Sequence, residues 1–118
     1  MSNVAAFDKD LNDKILGGKA LEAFEQYYAE DVVMQENSDA PFEGKEVNRK
    51  REQDFFASIA EFHGAQLMAS ASTDDTSFGQ WWMDVTMKNG YRVTLNQVSV
   101  RKWRNGKIVH ERFFYSKN

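Results

Sequence analysis

After Gly64 apolar residues recur at alternate positions in four runs, and Asn-Gly separates the last three, at Asn89-Gly90 and Asn105-Gly106. Alternation of this kind marks half-buried strands, and Asn-Gly between β-branched and aromatic runs is the strongest short-range hairpin signal, because its turn needs positive φ at both central residues. Strands are therefore expected around Ala65, Leu67 and Ala69, then at Phe78–Met87, Tyr91–Trp103 and Ile108–Tyr115. Hairpins make sequence neighbours into spatial neighbours, so this half of the chain must form an antiparallel meander, and the rest must cover one of its faces.

The N-terminal part has a different period. Phe7, Leu11 and Ile15 recur every four residues in Val4–Leu16, and Gly17-Gly18 closes the run, which predicts a helix. A second helix is predicted from about Lys19 to Ala29, with Leu21, Phe24 and Tyr28 on one stripe, and Val32-Val33-Met34 follows as a short strand. After a loop around Pro41, Val47, Phe55 and Ile59 predict a third helix over Lys45–Ala60. On that helix Arg51 falls inside the apolar stripe and is expected to snorkel, while Arg49, Lys50 and Glu52 face water. Helices first and a meander after define one α+β domain, for which 118 residues suffice.

The hairpin register decides which side chains share a face. If Asn105-Gly106 is a two-residue loop, Arg104 faces Lys107 and Ser99 pairs with Arg112. If Arg104-Asn105-Gly106 is a three-residue loop with Gly106 left-handed, Trp103 faces Lys107 and Ser99 pairs with Glu111. A slip of one residue exchanges the faces. The three-residue loop is favoured, here and at Lys88-Asn89-Gly90, because it collects Trp81, Met83, Val85, Val93, Leu95, Gln97, Ser99, Val109, Glu111, Phe113 and Tyr115 on one side. An apolar wall with isolated polar groups suits a small hydrophobic molecule. The opposite side, with Trp82, Val98, Val100 and Phe114 among Asn96, His110 and Arg112, is too apolar for open water, which predicts a homodimer through the outer sheet face.

Several chemistries find no support. A formal net charge of −3 gives no reason to expect nucleic acid or an anionic membrane as partner, and no stretch is long and apolar enough to span a bilayer. The chain has no cysteine, which removes disulfides and thiol catalysis and agrees with a cytoplasmic location; Asp8, Asp10 and Asp13 interrupt what a signal peptide would keep apolar. Asp8–Asn12 superficially resembles a calcium loop, but Asp13 stands where glycine is required and Lys19 where the bidentate glutamate belongs. His63 and His110 lack the spacing of a metal motif, and no phosphate-binding glycine loop is present. No metal and no cofactor are expected.

The segment VVMQENSDAPFEG places an acid, Glu36, at the end of a buried strand. Its surroundings, YYAEDVVMQENSDAPFEGKE, are similar to the Tyr/Phe-Ala-Asp-Asp-x-x-x-x-Asp-Pro stretch of the nuclear transport factor 2-like superfamily, and VSVRKWRNGKIVHERFFY is similar to its last hairpin. Nearly the whole chain resembles that superfamily, and within it the SnoaL-like branch. The resemblance implies a cystatin-like cone of three helices on a strongly curved, mixed-edge sheet enclosing a pocket, dimerised through the sheet. In catalytic members such as the ketosteroid isomerases the acid ending the first strand removes a proton beside a carbonyl, and Glu36 matches that position. Here Glu36-Asn37 replaces Asp-Pro, no tyrosine precedes Tyr27, and Ser99 stands near the second acid's place, so a steroid isomerase is not expected.

Two readings follow for Glu36. As a desolvated carboxylate it is a general base of an isomerase or cyclase kind, with Tyr28, Trp81, Gln97, Ser99, Glu111 and Tyr115 around the substrate and Gln97 or Ser99 holding the carbonyl oxygen. Otherwise it is locked by an arginine, and the pocket binds without chemistry. Glu111 is expected to pair with Arg101 or Arg51.

Overall fold

The computed structural model of the chain describes residues 3–116. Its elements run α1 (Val4–Leu16), α2 (Ala20–Tyr27), β1 (Tyr28–Glu36), β2 (Phe42–Glu43), α3 (Lys45–Ala57), β3 (Ile59–Ser72), β4 (Thr76–Met87), β5 (Arg92–Arg104) and β6 (Lys107–Tyr115). The meander forms as the alternation requires, and β1 then adds beside β6 to give one curved sheet in the order β2-β1-β6-β5-β4-β3. All neighbours are antiparallel except β1 and β6, which are parallel. Three helices pack on the sheet, which does not close into a barrel.

Three boundaries differ from expectation. Tyr28 already has extended backbone angles, so α2 stops at Tyr27 and β1 reaches back over Tyr28–Glu36. The third helix ends at Ala57, where the Ser58 hydroxyl donates to the Phe55 carbonyl at 2.6 Å, and Ile59 starts a long strand by pairing with Met87. Beyond Pro41, Phe42 and Glu43 form a two-residue edge strand against Met34 and Val33.

The two hairpins take different turns. At Lys88-Asn89-Gly90 the loop has three residues, as expected: Met87 N–H donates to Tyr91 O at 2.8 Å and Gly90 has φ 94°. At Asn105-Gly106 the three-residue loop is corrected to a two-residue one, with φ 53° and 77° and Arg104 facing Lys107. These paired positive φ values are those of the turn whose twist matches the strands. A bulge then inserts Val109, so Lys102 pairs with His110, Arg101 with Glu111 and Ser99 with Phe113. The extra residue restores by a bulge the face that the longer loop was meant to provide. Gln97, Ser99, Arg101, Glu111, Phe113 and Tyr115 therefore share the concave side, with Trp81 opposite Gln97 on β4.

The apolar core fills one end of this arrangement. Val4 and Leu11 of α1, Phe24 and Tyr27 of α2, Val32 and Met34 of β1, Trp103 and Ile108 are buried together. Trp103 sits edge-on to Tyr27 at 5.8 Å, and its indole N–H donates to the buried Ser77 hydroxyl at 2.9 Å. A buried indole thus keeps its one polar group satisfied.

Candidate functional site

Glu36 ends β1 because Asn37 turns the chain out of the sheet. Asn37 takes the left-handed conformation, φ 52°, which asparagine tolerates better than most residues. Its N–H donates to Phe113 O at 2.7 Å, and its side-chain oxygen accepts from Tyr115 N–H at 2.9 Å. Proline has no N–H to make the first bond, which accounts for asparagine after the acid.

Both oxygens of Glu36 are engaged: the Tyr115 hydroxyl donates to Oε1 and Arg51 Nη2 donates to Oε2. Arg51 is itself fixed. Its Nη1 donates to Asn48 Oδ1 at 2.9 Å, and its guanidinium lies 3.7 Å from the Phe42 ring centre. The buried Asn48 in turn donates to the carbonyls of Phe42 and Gly44 at 3.0 and 2.9 Å. Burial, and then the bond to Glu36, push the Tyr115 hydroxyl up to about 12, so it remains a donor near neutral pH. The side chains of Glu36 and Arg51 are 34% and 27% exposed, which places this triad at the rim.

A second tyrosine–glutamate–arginine triad lies deeper. Tyr28 OH donates to Glu111 Oε1 at 2.5 Å, and Arg101 Nε donates to Glu111 Oε2 at 2.7 Å. Arg101 Nη1 donates to Asp8 Oδ1 and Asn12 Oδ1, both at 2.7 Å. The remaining Asp8 contacts are the Ser77 hydroxyl at 2.8 Å and the Asn12 amide at 3.1 Å. Burial, followed by the charge of Glu111, holds the Tyr28 hydroxyl well above its usual range. Burial alone would lower Arg101, but Glu111 and Asp8 outweigh it and keep the guanidinium charged. Of the two arginines offered for Glu111, Arg101 is its partner. The concave face is thus not the apolar wall with isolated polar groups that alternation suggested. Strand pairing sets Glu111 beside Arg101, and the buried side of α1 brings Asp8 and Asn12 onto the same guanidinium.

The other residues singled out by sequence fall between the triads. Trp81 is buried and donates from Nε1 to Ser99 Oγ at 3.2 Å, with Ser99 1% exposed. Gln97 is half-buried, paired with Trp81 on one side and Tyr115 on the other. Two surface hollows, of about 400 and 420 Å³, lie elsewhere: one is lined by Asp8, Asn12, Leu67 and Ser70, the other by Phe7, Asp74 and Trp103. Neither is lined by Glu36, Tyr28, Trp81, Gln97, Ser99, Glu111 or Tyr115. Exposed His63 contacts Thr86 Oγ1 at 2.7 Å, His110 faces Lys102 on the outer side, and the described residues hold no group of three metal-ligating side chains.

Glu52 is the residue that sequence reasoning misplaced. It was expected in water, yet α3 is rotated from the stripe of Val47, Phe55 and Ile59: Lys45 and Asn48 are buried, Glu52, Phe55 and Phe56 are half-buried, and Val47 is 48% exposed. The two bonds from Asn48 to the chain before the helix anchor this rotation, and Glu52 lies one turn further along the same side. Burial, then the charge of Glu111, push its carboxyl up to about 7; Arg51 opposes the rise, Glu36 adds to it, and Arg101 opposes it. Among the described residues Glu52 has no hydrogen-bond or ion-pair partner. The sequence signal for it was the i, i+4 spacing from Asn48, and the signal for Asp8 the same spacing from Val4 and to Asn12.

The family model of the SnoaL-like domain matches residues 6–115. Among solved structures, a Mesorhizobium loti protein provisionally named a SnoaL-like polyketide cyclase has a TM-score of 0.86 and 31% identity, over 95% of this chain and 98% of that one. A nuclear transport factor 2-like protein of unknown function from Burkholderia pseudomallei gives 0.81 at 18% identity, over 98% and 92% of the two chains. A hypothetical protein from Catenulispora acidiphila with a ketosteroid isomerase-like fold, in complex with trimethylamine, gives 0.74 at 13%, over 94% and 85%. At those identities the last two share the fold. No curated protein matches the chain.

Proposed function

We propose that this chain, which belongs to the SnoaL-like domain family, binds a small, largely apolar carbonyl compound against the concave face of its sheet, with the rim triad as the polar end of the site. The engagement of both Glu36 oxygens, by Tyr115 and by Arg51, carries this reading. A carboxylate so occupied is poorly placed to accept a substrate proton, and its effect is to aim the arginine. Arg51 keeps N–H groups beyond those given to Asn48 and Glu36, and these suit a carbonyl oxygen, with Phe42 and Phe113 supplying apolar contact nearby. The relative provisionally named a polyketide cyclase supports a carbonyl-bearing ligand.

The test uses 2-tetralone, a flat bicyclic ketone, followed by saturation-transfer NMR. Saturable binding is expected, and Arg51→Met should weaken it about tenfold, the value of roughly one hydrogen bond from a charged donor. Absence of saturation transfer from the protein to the ketone would discard the reading. The proposal takes the outer sheet face as a homodimer interface, supported by Phe78, Val98 and Phe114, which are 39–41% exposed. Light scattering at micromolar concentration should give twice 13.6 kDa, and a monomer would discard the dimer.

A further inference from the structure

Among the described residues four carboxylates lie on the concave side, and hydrogen-bond accounting separates one from the others. Asp8 accepts from Arg101, Ser77 and Asn12; Glu111 accepts from Tyr28 and Arg101; Glu36 accepts from Tyr115 and Arg51. In each case both oxygens are committed. Glu52 alone of these four keeps its lone pairs uncommitted, and it is half-buried where Glu111 is 1% exposed, which makes it the more accessible of the two. It lies on the half-buried side of α3, one turn beyond Asn48, within reach of the charges of both triads: Glu111 of β6, Glu36 of β1, Arg101 of β5 and its own neighbour Arg51, with Tyr28 of β1 feeling its charge in turn.

Resting on the binding reading above, we infer that Glu52, and not Glu36, is the proton acceptor of this site, taking a proton from the carbon beside the carbonyl of the bound compound. The C–H bond breaks and an O–H bond forms on Glu52, while the electron pair moves to the carbonyl oxygen, where Arg51 donates to the resulting enolate. Return of the proton from Glu52 to that carbon or to the next position of a conjugated system regenerates the carboxylate, with no oxidant or second reactant. The surroundings fit the task. Two acids and the loss of water disfavour the charge on Glu52 while two arginines limit the effect, which leaves a base matched to neutral pH.

The experiment follows exchange of the C1 protons of 2-tetralone for deuterium by NMR in D2O, with binding measured separately by saturation transfer. The wild type should accelerate exchange at least tenfold over buffer, with a rate that rises through about pH 7 as Glu52 ionises. Glu52→Gln should bring exchange back to the buffer rate while the ketone still binds; Glu36→Gln, which loosens the aim of Arg51, should weaken binding severalfold and yet leave exchange at saturating ketone well above the buffer rate. Binding without acceleration, or acceleration that survives Glu52→Gln, overturns the inference and leaves the binding reading standing. Failure to bind at all overturns the binding reading and this inference with it.

Discussion

The rim triad and the deep triad are made of the same three side chains, and each draws one member from β1 and one from β6. At depth β1 supplies the tyrosine, Tyr28, and β6 the glutamate, Glu111; at the rim β1 supplies the glutamate, Glu36, and β6 the tyrosine, Tyr115. The arginine comes from β5 in one and from α3 in the other. What separates them is water. Glu111 and Arg101 are 1% and 4% exposed, whereas Glu36 and Arg51 are about a third exposed. Charges out of water are tolerable only with every lone pair and N–H spoken for, so the deep set enlists Asp8, Asn12 and Ser77 as well. The rim set leaves arginine donors free, and a free donor is what a ligand needs.

The largest effect expected from this contrast is the loss of Arg101. Arg101→Met leaves Glu111 and Asp8 as buried acids without their cation, at a cost of about 3–5 kcal/mol in urea unfolding. Arg51→Met should cost at most about 1 kcal/mol, because solvent takes over what the arginine gave Glu36. Equal costs would show that burial does not divide the two sets as the structure has it.

Glu52 provides the next largest effect, with the opposite sign. Its carboxyl is raised from 4.5 to about 7 on folding, by burial first and by Glu111 next. Below pH 4.5 folded and unfolded chains are both protonated there and nothing is lost; between the two values only the unfolded chain ionises, so stability falls, and above about 7 the loss is complete. Glu52→Gln removes this loss. The variant should be more stable than the wild type at pH 8 by on the order of 2 kcal/mol, or roughly 5–10 °C in melting temperature, and no more stable at pH 4. A pH-independent difference between the two melting curves would remove the electrostatic explanation. A group that destabilises its own fold at working pH is what a functional residue often looks like, since function and stability compete.

Much of this fold was legible because it rests on local signals. The alternation of β4 and β5, both Asn-Gly turns and the stripe Phe7, Leu11, Ile15 each declare an element without reference to the rest. The face of the sheet was also readable, although the reason for it was not: a bulge at Val109 shifts the register of β6 against β5, and no local residue announces it. Of the candidate site, the acid that ends β1, Glu36, was legible as a strand-end residue, and Glu52 on α3 was not. That helix carries few apolar residues, so its rotation is set by Asn48 bonding to the preceding turn and not by an apolar stripe. A polar stripe gives periodicity nothing to detect, and Glu52 was assigned to water for that reason. The two partners of Arg101 on α1 were hidden in the same way, since Asp8 and Asn12 read as ordinary surface residues until a buried arginine is placed opposite them.

The smallest effects come from the two tyrosines, and they test the comparison most finely because the deleted atom is the same. Tyr28→Phe removes the donor to Glu111 Oε1 where no water can replace it, and Tyr28 is also stacked on Phe24 at 4.6 Å, so the ring holds its place and the gap stays. A buried acceptor left short costs roughly 1–2 kcal/mol. Tyr115→Phe removes the same hydroxyl from Glu36, but a carboxylate one-third exposed takes a water instead, and a few tenths of a kcal/mol is expected. The rim change should nonetheless be felt in binding: with Tyr115 gone, Glu36 is held by Arg51 alone, the arginine is aimed less firmly, and affinity for a ketone probe should drop severalfold at almost unchanged melting temperature. If Tyr115→Phe destabilised the protein as much as Tyr28→Phe and left binding untouched, the rim triad would be a second piece of the core and not the polar end of a site.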